Sequence, residues 1–287
     1  MTKQKNVLSG RRAVLATMHR KEKAIAPVFL ATLNLIVVPA KGVDTDALGT
    51  FSGEVPRHGT MLETAIAKAR LGMEQAQLPF GMASEGSFGP HPLFPIIPAG
   101  FELLVFVDNE RGTTVHESLV IDETNFAHLL TAPNEPISKF LTQVGFPSHG
   151  LIVRPNVGNP EAALVKGIVD LPTLQSAILA AAALSDDGCA RVDTDMRAHL
   201  NPTRMKSLAG LATRLSDRLS SGCPSCAAPG WGRVNVIRGL PCEMCNMATE
   251  WVMFEVFGCA ACKHQEERTR ADGLTQIGPA NCPACNP

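Results

Sequence analysis

Eight of the nine cysteines stand in four Cys-x-x-Cys pairs, all within residues 223–287: Cys223/Cys226, Cys242/Cys245, Cys259/Cys262 and Cys282/Cys285. A Cys-x-x-Cys knuckle puts two thiolates on one tight turn, and two knuckles complete a tetrahedral site, so four predict two structural Zn²⁺ ions. An all-cysteine site keeps no open coordination position, which argues against catalysis at the metal. Residues Met1 to Arg12 are polar and show no apolar core of a secretory signal. A reducing, cytoplasmic setting is therefore expected, with metal binding rather than disulfides. The ninth cysteine, Cys189, reads as a lone thiol.

Arg233–Arg238 and Glu250–Phe257 both read as strands. If they form a hairpin, Cys242/Cys245 sits at its turn, and Cys223/Cys226 meets Cys259/Cys262 at the open end. Cys282/Cys285 then returns to Cys242/Cys245. Sequential and nested pairings are the alternatives to this interleaved one. A tail with few core aliphatics needs such staples, and its folding is coupled to metal binding. Residues 221–287 carry five Lys/Arg against six Asp/Glu. A nucleic-acid module should be basic, so a structural or protein-contact role is favoured for this one.

The chain of 287 residues is long enough for one large core and a small satellite. Its formal charge of −1 gives no general pull toward polyanions or acidic membranes. No apolar run reaches the ~18 residues of a membrane helix. Strands are expected at Arg12–Ala16, Leu35–Pro39, Glu102–Asp108, His116–Ile121 and Leu151–Arg154. Helices are expected at Lys21–Ala31, Thr60–Gln77, Leu171–Leu184 and Asn201–Leu219, with a loop over Gly42–Gly59. Asn201 is a good N-cap, and Pro202 suits the first helical position. The alternation predicts an α/β domain over residues 1–220, built on a mixed sheet with flanking helices, followed by a two-zinc module over 221–287.

Four segments carry candidate chemistry. Ala13–Lys23 is a strand ending in a basic turn that opens a helix, a place that suits an anion. Thr17, His19 and Lys21 lie in it. In Thr60–Ala69, Glu63 and Lys68 lie five apart and are expected to be roughly neighbouring on one helix, although Thr60-x-x-Glu63 also spells a capping box. In Phe80–Pro90 an apolar strand is expected to end in the turn Ser84-Glu85-Gly86-Ser87. Asp193–Arg204 gathers Asp195, Arg197, His199 and Arg204 at a helix start. Arg154, Asn156, Lys166 and His91 are weaker candidates.

The order of the first three segments resembles the inosine-triphosphate and Maf-type nucleotide pyrophosphatases over about 80 residues. Their strand ends in Ala-Thr-Gly-Asn-x-x-Lys, their helix carries Glu-Asn-Ala-x-x-Lys-Ala, and a later strand ends in an acidic turn. The matching runs here are Ala16–Lys21, Glu63–Ala69 and Ser84–Phe88, with Met18-His19 in place of Gly-Asn, Thr64 in place of Asn and a single acid, Glu85. The resemblance implies a cleft in which Glu63 and Glu85 hold Mg²⁺ and Lys21 and Lys68 clamp phosphate. Thr17, His19 and Ser87 would line it, with Arg197, His199 and Arg204 against the rest of a nucleotide or other phosphorylated small molecule. It also implies hydrolysis of a nucleoside triphosphate or related ester, and a homodimer. A non-catalytic nucleotide sensor and a zinc-module adaptor are the competing readings. The whole chain is also similar to an uncharacterised bacterial family, a domain of unknown function, through Ser84–Pro92, Asp193–Met205 and the cysteine pairs.

Overall fold

Four consecutive apolar residues after Arg12 make β1 (Arg12–Ala16), and all four are buried. A strand covered on both faces reads as an unbroken apolar run rather than an alternation, and β1 is such a strand. The computed structural model describes residues 7–42, 59–91 and 94–287. Most of the expected Gly42–Gly59 loop lies outside them.

The chain runs from β1 through α1 (Glu22–Leu33) to β2 (Ile36–Pro39), then through α2 (Met61–Ala76) to β3 (Phe80–Pro90). A meander of β4 (Pro98–Asp108) and β5 (Thr113–Ile121) follows. The five strands form one sheet in the order β2-β1-β3-β4-β5. β1 is parallel to both of its neighbours, while β3, β4 and β5 pair antiparallel.

Side chains alternate between the two faces with the period of a strand. Leu15, Met82, Leu104 and Phe106 share a core with Ile25, Phe29 and Leu33 of α1. On the other face, Val14, Ala83, Leu103 and Val105 meet Ala65, Ala69 and Met73 of α2. The two crossover helices thus cover opposite faces, and the winding order of the sheet reverses at β1, with β2 added on one side and β3 on the other. The carboxyl ends of strands at such a reversal leave a crevice between the helices.

A second sheet comprises β6 (His128–Thr131), β7 (Leu151–Pro155), β8 (Val165–Ile168) and β9 (Ala190–Thr194), in the order β6-β9-β7-β8, all antiparallel. α3 (Ser138–Val144) and α4 (Leu171–Ala183) lie between these strands in sequence. Leu151, Val153, Ile168 and Val192 pack on Leu174, Ala177, Ile178 and Ala181 of α4, with Phe140 and Val144 of α3. Residues 1–220 therefore hold two sheets with separate cores, not the single mixed sheet expected.

α5 (Pro202–Ser220) starts where the sequence places it: the Asn201 side chain accepts from the Arg204 amide at 2.9 Å, and Pro202 opens the helix. Leu211, Leu215 and Leu219 join the α1 face of the first sheet. At its far end the Arg218 Nη1 donates to His116 O (2.9 Å) and Glu117 Oε1 (2.8 Å), and its Nε donates to Gly230 O (3.1 Å). One guanidinium thus ties β5, α5 and the cysteine module together. That module is a three-stranded antiparallel sheet of β10 (Gly232–Arg238), β11 (Val252–Gly258) and β12 (Gln265–Thr269). Among the described residues, no helix is long and apolar enough to cross a membrane.

Candidate functional site

The β10–β11 hairpin carries the Cys242/Cys245 knuckle in its connection, and the four pairs interleave as the hairpin geometry expects. Cys223, Cys226, Cys259 and Cys262 form one group, and Cys242, Cys245, Cys282 and Cys285 the other, with the sulfurs of each group within 4.8 Å of one another. Sγ–Sγ distances are 3.7 Å for Cys223–Cys262, Cys226–Cys259 and Cys245–Cys282, and 3.9 Å for Cys242–Cys285. A tetrahedron with ~2.3 Å metal–sulfur bonds has edges of about 3.8 Å, so both donor sets fit a zinc ion. The Cys223 and Cys259 side chains also form a small apolar cluster with Trp231.

The second constellation lies at the carboxyl end of β1 and the middle of β3, just past the residues that pair with β1. Thr17 Oγ1 accepts from the His19 amide at 3.2 Å, folding the chain back after β1. Arg20 adopts φ 55°, and Lys21 stands at the N-cap of α1. The Lys21 side chain is buried and donates through Nζ to Ser84 O (3.1 Å) and Ser84 Oγ (3.0 Å) on β3. Lys68 of α2 pairs with Glu85 at 2.6 Å, both buried. Arg204 of α5 pairs with Glu102 of β4, also buried, and donates through Nη1 to Met196 O at 2.5 Å.

Strand register explains the arrangement. Glu85 faces Leu103 and Gly86 faces Glu102 across β3 and β4, so the two acids project from opposite faces of the sheet. Each meets the cation supplied by the helix on its own face, Lys68 from α2 or Arg204 from α5. Gly86 has to be glycine: a Cβ there would lie 2.6 Å from Glu102 Oε1 and collide with Arg204 Nη2.

Charges are unequal here. Three cations, Lys21, Lys68 and Arg204, act with two carboxylates, Glu85 and Glu102. Burial, then the Arg204 guanidinium, lowers the Lys21 pKa to about 8, although Glu102 and Glu85 pull the other way. Next to it, the His19 and His199 rings stack with centroids 5.3 Å apart and planes 17° apart. Burial, then Lys21, His199, Arg197 and Arg204, holds the His19 pKa down at about 3. His199 is lowered by partial burial and by Arg197. Arg197 grips the fully buried Asp195 with Nε (3.0 Å) and Nη2 (2.6 Å). The region is thus positive, with two neutral imidazoles at its edge.

The structure brings together Thr17, His19, Lys21, Lys68, Glu85, Arg197, His199 and Arg204 through these bonds, stacking and mutual electrostatic effects. Glu63 departs from the expectation. It is exposed, and its Oε2 accepts from Thr60 N (2.8 Å) and Thr60 Oγ1 (2.9 Å) in a complete capping box. Five residues separate Glu63 from Lys68, about 140° around a helix, so the two cannot both face the sheet. The expected Glu63–Glu85 magnesium pair does not form; Glu85 bonds Lys68 instead.

Ser84–Ser87 is no turn either. β3 continues to Pro90, paired residue for residue with β4, and Ser87 is exposed on it. Glu102 was missed by sequence reasoning, although a lone carboxylate inside the apolar run Phe101–Val107 was the available signal. Thr64 was missed too. It is buried one helical turn before Lys68, and its Oγ1, like Glu102 Oε2, has no hydrogen-bond partner among the described residues.

A family model described as Domain of unknown function (DUF6671) matches residues 68–287. The matched segment contains Lys68, Glu85, Glu102, Arg197, Arg204 and all eight paired cysteines. No curated protein matches the chain. Neither comparison supports the likeness to nucleotide pyrophosphatases.

Proposed function

The chain belongs to the DUF6671 family, and from that starting point we propose that the crevice at the end of β1 and the middle of β3 binds a phosphorylated small molecule. One observation supports this above the others: three buried cations face two carboxylates there. A buried charge without a counter-charge is costly, and a bound anion would supply the missing one.

Lys21 is the cation best placed to meet a phosphate, because Lys68, Arg204 and Arg197 are held by their own acids. His19 and His199, kept neutral, offer ring nitrogens as donors and acceptors without adding charge. No side chain caps α1, so the positive end of its dipole adds to the same field. Hydrolysis of the ester is the finer reading. It requires the ligand phosphate to draw Lys68 away, so that Glu85 can act as a base on water or as a ligand for Mg²⁺. The two cysteine groups supply folding energy as zinc sites, apart from this chemistry.

The test is a panel of inorganic phosphate, pyrophosphate and nucleoside triphosphates, each with and without Mg²⁺, read by melting temperature and by phosphate release. A ligand at about a hundred times its Kd stabilises the fold by about 2.7 kcal/mol, a readily measured shift. Stabilisation by phosphate-bearing ligands that disappears in Lys21→Met is expected. No stabilisation by any of them, or stabilisation that survives Lys21→Met, contradicts the proposal. Phosphate release abolished by Glu85→Gln would establish turnover; binding without release would leave a sensor.

A further inference from the structure

The second sheet is covered by helices on one face only. Its other face carries Ile152, Arg154, Lys166, Arg191 and Asp193, because Ile152 pairs with both Lys166 and Asp193, and Arg154 pairs with Arg191. These residues line a cavity of about 310 Å³ whose wall is completed by apolar Phe126, Leu164 and Met196 and by Arg197. That volume is at the small end for ligand pockets.

We propose that this cavity is a binding site for a small organic acid with a compact apolar body, distinct from the phosphate crevice but adjoining it at Arg197. Asp193 lies between two arginines, accepting from Arg191 Nε at 2.9 Å and from Arg154 Nε at 3.2 Å. One carboxylate thus fixes both guanidinium planes and leaves their terminal nitrogens for another acceptor. Planar forks of N–H groups match a carboxylate in two-point contact, which a lysine cannot reproduce.

Charge agrees with this. The cavity wall carries Arg154, Lys166, Arg191 and Arg197 against Glu161, Asp193 and Asp195, so one positive charge is in excess. Ile152, Leu164, Phe126 and Met196 supply the apolar surface that an uncharged ring or short hydrocarbon would bury. Gly167 keeps the wall open at Arg197: it adopts φ 77°, and a Cβ there would stand 3.2 Å from Arg197 Nη2.

The probe is benzoate, titrated calorimetrically into the full chain with its metal bound, alongside a separate titration with sulfate. Benzoate is expected to bind, and Arg154→Met and Arg191→Met should each weaken it by about tenfold, the loss of one charge-assisted hydrogen-bonded contact. Sulfate affinity and melting temperature should stay within about twofold and a few degrees of the parent, showing that the variants fold. Arg191→Lys should fall between parent and Met variant. No benzoate binding to the parent, or binding by both Met variants as tight as the parent's, overturns the inference. Benzoate binding without sulfate binding sustains it while refuting the phosphate reading of the crevice.

Discussion

Lys68 and Glu85 form a buried ion pair on the α2 face of the sheet, and burial sets the cost of losing either partner. Lys68→Met leaves Glu85 uncompensated and should cost about 3–5 kcal/mol in denaturant unfolding. Adding Glu85→Leu to it should restore most of that loss, because an apolar pair of similar volume replaces the ion pair. A double variant as unstable as the single one would contradict this.

His19 gives a pH prediction. Its pKa is about 3 folded against an ordinary 6.5, so the unfolded chain takes up a proton first as pH falls. The stability that neutral His19 supports is complete above pH 6.5 and is lost as pH drops toward 3. His19→Gln should flatten that part of the stability–pH curve; an unchanged curve would show that His19 is not the group responsible. At this scale Lys21 and Arg204 were legible as charges at helix starts, and Lys68 and Glu85 as charges within otherwise apolar stretches in the middle of α2 and β3. The sequence misled at Glu63, where a capping box and a metal ligand share the same residue types, and local hydrogen bonding prevailed.

β3 shows how an element positions these side chains. Eleven residues of unbroken pairing with β4 carry Ser84, Glu85 and Gly86 into the space between three helices. Gly86→Ala should overpack the Arg204–Glu102 pair, destabilise the fold by about 1–3 kcal/mol and weaken anion binding. Gly89→Ala, three residues on with nothing within 4 Å, should be neutral by the same denaturant assay. Equal effects at the two positions would show that the close approach at Gly86 does not matter.

The longer helices were legible at this scale because their stripes are long; Leu208, Leu211, Leu215 and Leu219 mark α5 without ambiguity, whereas the seven-residue α3 gave no such stripe. β6, β8, β9 and β12 were not legible. Each has only four or five residues, and β8, β9 and β12 carry charges at one or more of them. β6 and β9 also pair across a long sequence separation, which local pattern does not reveal. The reading of Ser84–Ser87 as a turn failed because glycine and serine weaken a strand locally, whereas pairing with β4 continues to Pro90, past Ala83 where the pairing with β1 ends.

The molecule as a whole joins two α/β sheets to a cysteine module through one helix. α5 contributes Arg204 to the crevice at its start and Arg218 to the module contact at its end, with Cys223 three residues after its last residue. Interleaving means that each cysteine group joins segments on both sides of the β10–β11 hairpin or its connection. Elemental analysis should find two zinc ions per chain, and Cys242→Ser should release one of them, since Cys223, Cys226, Cys259 and Cys262 form a complete set alone. Retention of both ions would contradict this pairing. The pairing was legible in the sequence because hairpin geometry and knuckle spacing leave few options, whereas the division of residues 1–220 into two cores was not, since each sheet is built from segments separated by helices.

The proposed role of the crevice rests on the excess of buried cations around Lys21. Calorimetric titration with sulfate near pH 8.5, in buffers of differing ionisation enthalpy, tests it most directly, since sulfate does not change charge there. Lys21 is lowered to about 8 without ligand, so a bound anion should raise its pKa and draw a proton from the buffer. Binding with net proton uptake that disappears in Lys21→Met is the predicted result. Binding with no proton uptake, or no sulfate binding at all, would contradict it.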